Sequence, residues 1–383
     1  MDPALHETLT GWRRHLHANP ELTLHEKETS TFVQARLGEL GVPFVAGIGG
    51  HGVVATLSRG TSNRSVGLRA DMDALPILET SGATHASRKS GVMHACGHDG
   101  HTVSLLGAVA MLARDQSWAG TIQCVFQPAE EGGGGAKSMI ADGLFDRFPM
   151  ERIFGYHNWP GLEAGTVAIH DGPVMAAGSR IYFTIKGHSG HAALPHMTRD
   201  PMVAAAHLLI ALQTIVSRNV DPLDAAVVTI GSMECGSAAN QISGEAIMRG
   251  TMRTLKESVR DEIEGAIERI AAGTAQTFGV RIDVAMPRGM PVTANAPAER
   301  DLAVEAVKAV GMPLRRDLPP AMTGEDFAWY LAEKPGAFAW IGNGPSDGGR
   351  ELHNSNYDFN DAIIPAASGY LASVAKLALA GDH

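Results

Sequence analysis

The stretch Arg180-Ile181-Tyr182-Phe183-Thr184-Ile185-Lys186 decides how the chain reads as a fold. Ile181, Phe183 and Ile185 alternate with Tyr182 and Thr184, the period-two pattern of a strand with one buried face. Downstream the pattern predicts a helix over Met202–Ser217, strands over Ala226–Ser232 and Ala246–Thr251, a helix over Ser258–Thr277 and a strand over Val280–Val284. That order is βαββαβ, the split-βαβ signature of a ferredoxin-like domain. Upstream, a two-helix entry over Trp12–Leu40, broken at Pro20, leads into strands at Val53–Leu57, Val66–Leu68, Thr121–Phe126 and Ile153–Tyr156. Helices at Thr102–Arg114 and Ala136–Leu144 fall between the later strands, which indicates an α/β layered sheet. A helix at Asp301–Val310, a strand at Ala337–Ile341 and a helix at Ile364–Leu379 resume that layer. The expected architecture is α/β: a layered domain with a mixed sheet, residues 1–178 and 292–383, interrupted by a ferredoxin-like lid over residues 179–291.

Length and composition agree with two domains, because 383 residues exceed the roughly 250–300 at which one core stops growing. Hydrophobic residues make up 44% and charged residues 19%, an ordinary balance for a chain with ample core. The net charge of -10, with no block of Lys or Arg, argues against nucleic-acid or anionic-membrane partners. No amino-terminal leader pattern and no run of about 18 apolar residues is evident, so a cytoplasmic location is expected. The three cysteines, Cys96, Cys124 and Cys235, do not suggest a disulfide framework.

The chemistry concentrates at the carboxyl ends of the first domain's strands, where α/β sheets gather their ligands. Met93-His94-Ala95-Cys96-Gly97-His98-Asp99-Gly100-His101 packs a thiol, three imidazoles and a carboxylate into nine residues. A thiolate and an imidazole two positions apart make natural ligands for a borderline metal. Gln127-Pro128-Ala129-Glu130-Glu131, followed by four glycines, puts two carboxylates on a loop free to aim both at one place. One carboxylate of such a pair binds metal while the other, acting as general base, handles the proton of the attacking water. His157 follows a strand and His353 lies in a loop near the carboxyl terminus. Cys96, His98, Glu131, His157 and His353 together are too many ligands for one structural zinc and suit two metals. A reading of Cys96 as a nucleophile with a histidine base stays open, although it leaves both glutamates without work.

Gly47-Ile48-Gly49-Gly50-His51-Gly52 matches G-x-G-x-x-G, with Asp71 at a suitable distance for a dinucleotide site. That fingerprint must open a helix, whereas these glycines lead straight into the strand Val53–Leu57, so a tight turn is expected.

These motifs in this order resemble the M20 metallopeptidase family, and specifically its amidohydrolase branch of hippurate hydrolases, N-acyl-amino-acid amidohydrolases and auxin-conjugate hydrolases. The resemblance runs through Arg13 to His17, Pro20-Glu21-Leu22, Arg69 to Pro76, Cys96 to Asp99, Gln127 to Gly132, Lys186 to His196, Thr323 to Phe327, and His353 with Asp358 to Asp361. It implies a catalytic domain carrying Cys96, His98, Glu131, His157 and His353 as ligands of two divalent ions, manganese or zinc with cobalt or nickel as alternatives, and Glu130 as general base. Asp71 falls where related branches put a metal-binding histidine and Asp73 where they put its orienting acid; here both are expected to orient ligands. In the lid the resemblance assigns His191 to the substrate carbonyl, often from a partner subunit, and Asn240 to a second substrate contact. It implies a homodimer, or a dimer of dimers, built through the lid. The expected reaction is hydrolysis of the amide of a small N-acyl amino acid. A dipeptidase or aminopeptidase using the same site is the alternative, with a catalytically silent metal-binding protein behind it. Asn354-Ser355-Asn356-Tyr357, where a Ser-Pro pair is usual, and Ala362, where an acid is frequent, depart from the branch pattern and bear on substrate preference.

Overall fold

A computed structural model describes residues 1–381, which divide into two units. The first unit holds Met1–Gly172, Ala294–Pro319 and the segment from Asp326 onward; the second holds Pro173–Thr293 and Pro320–Glu325.

In the first unit an eight-stranded mixed sheet runs in the order Phe44–Ile48, Gly52–Arg59, Gly120–Gln127, Ser65–Asp71, Arg152–Pro160, Gly336–Gly344, Val167–Ala168 and Leu314–Arg315. The four strands from Gly120–Gln127 to Gly336–Gly344 are parallel. Their near-continuous burial is what parallel strands covered on both faces show. The helices His98–Arg114 and Ile364–Ala380 pack together and against Ser65–Asp71, and Val103, Leu106, Tyr370, Leu371 and Val374 belong to the core they close. The G-x-G-x-x-G stretch is the hairpin between Phe44–Ile48 and Gly52–Arg59, an antiparallel pair. Gly49 and Gly50 take φ of +62° and +103° there, which the turn requires.

In the second unit a four-stranded antiparallel sheet runs Ala226–Cys235, Glu245–Thr254, Ala177–Lys186, Arg281–Ala285, so the strands in chain order take places 2-3-1-4. The helices Pro201–Leu212 and Glu257–Phe278 supply Ala204, Leu208, Ile263 and Ile267 to a core with Ile181, Phe183 and Ile185. The Asp200 side chain caps the first of them by accepting from the Met202 and Val203 amides. The segment Pro320–Glu325, placed by sequence in the first domain, belongs to this unit through a parallel bridge between Met175 and Ala321.

Two helical stretches, Pro201–Arg218 and Asp361–Ala380, are long and apolar enough to cross a membrane by length and composition, although polar residues interrupt both and neither is an unbroken apolar run. Asp361–Ala380 is largely a core element: Ile364, Ala367, Tyr370 and Val374 are buried within the first unit.

Candidate metal centre and its frame

The sheet brings the sequence-predicted residues to one rim. Asp71 ends one parallel strand and pairs in register with Gln127, which leads into Pro128 to Glu131, while His157 lies toward the end of Arg152–Pro160. Cys96 and His98 flank Gly97, which precedes the helix His98–Arg114 at φ +88°. A Cβ on Gly97 would stand 2.3 Å from Asn158 Nδ2 and 2.4 Å from Tyr357 Oη, so only glycine lets the loop close here.

Cys96 Sγ lies 3.3 Å from His157 Nε2. Ligand atoms of Cys96, His98 and His157 fall within 4.8 Å of one another, as do those of His98, Glu130 and Glu131, and those of Cys96, Glu131 and His353. His353 is exposed at φ +63°, with Nε2 3.3 Å from Glu131 Oε1 and its backbone N–H donated to the Ala95 carbonyl. The other members of the group are buried or nearly so.

Each imidazole is oriented by a second group. His157 Nδ1 donates to the Asn158 carbonyl at 2.7 Å, which leaves Nε2 as the lone-pair nitrogen facing Cys96. Burial holds His157 well below its usual pKa, so it is neutral, the ligating form. His98 Nδ1 lies 3.2 Å from Asp73 Oδ1, an arrangement that fixes the tautomer and presents Nε2. That buried Nε2 has no hydrogen-bond partner, and neither has Glu131 Oε1, 3.9 Å away. Two buried polar atoms side by side without a hydrogen bond, next to a thiol and a neutral imidazole, are what a site built for cations shows.

Asp71 and Asp73 serve different neighbours. Asp71 accepts from His101 Nδ1 at 2.7 Å and from Arg69 at 2.9 Å, with His98 Nε2 at 3.5 Å. Burial opposes its ionisation, yet His98, Arg69 and His101 hold its carboxyl well below the usual range. Asp73 binds His98 with one oxygen and accepts from the Glu131 amide, at 2.9 Å, and from Thr23 with the other. His101 is fully satisfied, since its Nε2 accepts from the Asn158 backbone N–H. His94 is buried with neither ring nitrogen paired, and burial takes it down to about 4, so it is neutral.

Several residues of this frame carried no functional role in the sequence reading. Asn158 donates to the Cys96 carbonyl and accepts from Tyr357. Buried Arg69 spans Gln127, Asp71 and Asp326, and the Asp326 backbone N–H donates to Glu130 Oε1 at 3.2 Å. Arg13 and His17 meet Asp99, the residue after His98. The motifs Arg13 to His17, Arg69 to Pro76 and Thr323 to Phe327 were the available signal.

The profile of peptidase family M20/M25/M40 matches residues 67–377. The chain belongs to that family. Among its M20 relatives, the N-acetyl-L-cysteine deacetylase of Bacillus subtilis (strain 168) is 39% identical over 97% of this chain and 88% of its own length. The hippurate hydrolase of Campylobacter jejuni is 40% identical over 95% of this chain and 94% of its own. A crystal structure of the Bacillus subtilis YXEP protein, a dinuclear metal binding peptidase from the M20 family, superposes with a TM-score of 0.89 at 32% identity, covering 99% of each chain.

In the second unit of this M20 chain, His191 lies on a small two-stranded pairing of Gly190–His191 with Gln241–Ile242, and Asn240 is the turn residue that leads into the second strand. Both are exposed. His191 Nδ1 accepts from the Ala193 amide at 3.0 Å, and the Asn240 carbonyl accepts from Ala192 at the same distance.

Proposed function

We propose that this chain is a metal-dependent amidohydrolase that splits the amide of N-acyl amino acids into a carboxylic acid and the free amino acid. The observation that carries this reading is the convergence of His98, Glu130 and Glu131 beside Cys96 and His157, with two buried ligand atoms making no hydrogen bond. The deacetylase and the hippurate hydrolase among its relatives support the substrate class.

Cys96, His98, Glu131, His157 and His353 would hold two divalent cations, with Asp71 and Asp73 orienting the histidines. A cation pair in that position supplies Lewis acidity to an amide carbonyl and makes water a better nucleophile near neutral pH. Glu130 takes the proton of the attacking water and hands it to the leaving nitrogen, which departs as a neutral amine. The soft thiol among imidazoles and carboxylates suits manganese or zinc, with cobalt and nickel as substitutes. Cys96 does not act as a free nucleophile: burial and the charges of Glu131 and Glu130 push its thiol well above its usual pKa, the reverse of what activates a thiolate.

The second unit acts as a ferredoxin-like lid over residues 179–291, and His191 and Asn240 serve the substrate from it. A homodimer through this lid is supported by the exposed Met202, Val203 and Ile210 on one helix. Three free cysteines suit the reducing cytoplasm.

The test is a panel of N-acetyl and N-benzoyl amino acids beside unblocked dipeptides, assayed after chelation and after return of manganese, zinc, cobalt or nickel singly. Metal-restored turnover of acylated substrates is expected. Faster turnover of unblocked dipeptides would transfer the site to a peptidase, and turnover surviving chelation would overturn the reading.

A further inference from the structure

The carboxylate pair is held from outside its own loop at three consecutive residues. The Glu131 amide donates to Asp73, Glu130 Oε1 accepts from the Asp326 backbone N–H, and the Ala129 amide donates to Glu26 Oε1 at 2.8 Å. Asp73 also touches His98, and the Asp326 amide touches Glu130 itself. Glu26 reaches the loop through the backbone of Ala129.

Two features set this contact apart. Ala129 takes φ +56°, the left-handed region that an L-residue with a Cβ avoids, and its side chain is fully buried. Glu26 directly precedes the helix Lys27–Glu39, yet its carboxyl does not cap that helix. It turns away, accepting from Ala129 and, at 3.0 Å, from Leu24, which is itself at φ +68°. Its second oxygen, Oε2, is buried without a hydrogen-bond partner. A buried carboxyl with one oxygen unsatisfied is unfavourable by itself, so packing does not account for it. Backbone strain that the surroundings impose beside reacting groups is a signature of functional geometry.

We propose that Glu26 is a positioning residue for the hydrolysis: by holding the Ala129 amide it locks the left-handed turn that aims Glu130. This rests on Glu130 being the general base. Burial pushes the Glu26 carboxyl up to about 7, so an uncharged carboxamide of the same shape is a fair replacement. Glutamine keeps an acceptor oxygen, aspartate withdraws it by one methylene, and alanine removes it. Glycine at 129 would adopt the turn without help.

The full chain is prepared as wild type, Glu130→Gln, Glu26→Gln, Glu26→Asp, Glu26→Ala, Ala129→Gly and the double variant Glu26→Ala/Ala129→Gly. Each is assayed with saturating manganese on the acylated substrate the wild type turns over best, with bound metal counted by mass spectrometry. Glu26→Ala and Glu26→Asp are expected to lower kcat by about 10²-fold, the scale of an ångström-sized misplacement, with KM and metal content unchanged. Glu26→Gln is expected to keep most of kcat, and Ala129→Gly to recover most of what Glu26→Ala loses. A purely structural role would move melting temperature and metal content together and would not respond to glycine at 129. Wild-type kcat in both Glu26→Ala and Glu26→Asp overturns the inference, as does a double variant no faster than Glu26→Ala. An active Glu130→Gln would instead remove the general-base reading itself, so the two failures are distinguishable.

Discussion

The rim of the first unit and the Gly190–His191 pairing of the second both offer polar groups suited to chemistry, and they are built in opposite ways. At the rim, Cys96, His98, His157 and Glu130 are buried, and each imidazole is fixed by a carboxylate or a carbonyl. On the second unit, His191 and Asn240 are exposed, and their hydrogen bonds run to neighbouring backbone amides. In the low-dielectric rim each made hydrogen bond or ion pair is strong and each missing one costly, so the arrangement is preorganised and intolerant of change. Substitutions at exposed His191 and Asn240 are expected to leave the fold intact.

That contrast breaks first if chelation leaves the enzyme working. Removing divalent ions is expected to cut turnover to below about a thousandth, with recovery on manganese or zinc, because Lewis acidity is worth several kcal/mol to amide cleavage. Glu130→Gln should follow, losing about 10²- to 10⁴-fold in kcat while binding the same amount of metal. Metal loss in that variant would mean Glu130 belongs to the ligand set. His191→Ala is expected to lose about 10²-fold in kcat/KM, the scale of one carbonyl-stabilising donor. Its urea midpoint should not move, since an exposed substitution costs within about 0.5 kcal/mol. A large drop in midpoint would put His191 in the structural framework instead.

The smallest expected effect concerns the buried frame under the rim. His17 donates toward Asp99 at 2.8 Å and lies 3.3 Å from Glu79; burial alone would lower its pKa, but these carboxylates raise it to about 9. A histidine whose folded pKa exceeds its unfolded value of 6.5 stabilises the fold fully below pH 6.5 and loses that stabilisation as pH rises through 9. Urea denaturation is therefore expected to show about 2–3 kcal/mol less stability at pH 9.5 than at pH 6, with most of that slope gone in His17→Gln. Equal slopes in the two proteins would show that His17 is neutral in the folded state.

Much of this was legible along the chain, and the reasons are local. Alternation over Ile181–Ile185 marked a strand because side chains on a strand take opposite faces. The G-x-G-x-x-G stretch read as a turn because no helix follows it, and the hairpin at Gly49-Gly50 is what forms. Cys96, His98, Glu130, Glu131 and His157 stood out because those donors are rarely massed without a purpose, and the rim gathers them. The helix expected over Ile364–Leu379 forms over Ile364–Ala380, because its apolar residues recur at helical spacing and pack into the core.

The sequence by itself determined the kinds of elements, their order and the stock of donor atoms, because periodicity and side-chain chemistry are properties of neighbouring residues. Only the tertiary structure decided how those donors are aimed. Arg69 meets Asp326 across 257 positions, Asn158 meets Tyr357 across 199, and Glu26 meets Ala129 across 103. No local pattern encodes such pairings; they exist because the parallel strands bring distant residues to one buried rim, where an unmatched charge or hydrogen-bonding group is too costly to leave without a partner or a ligand.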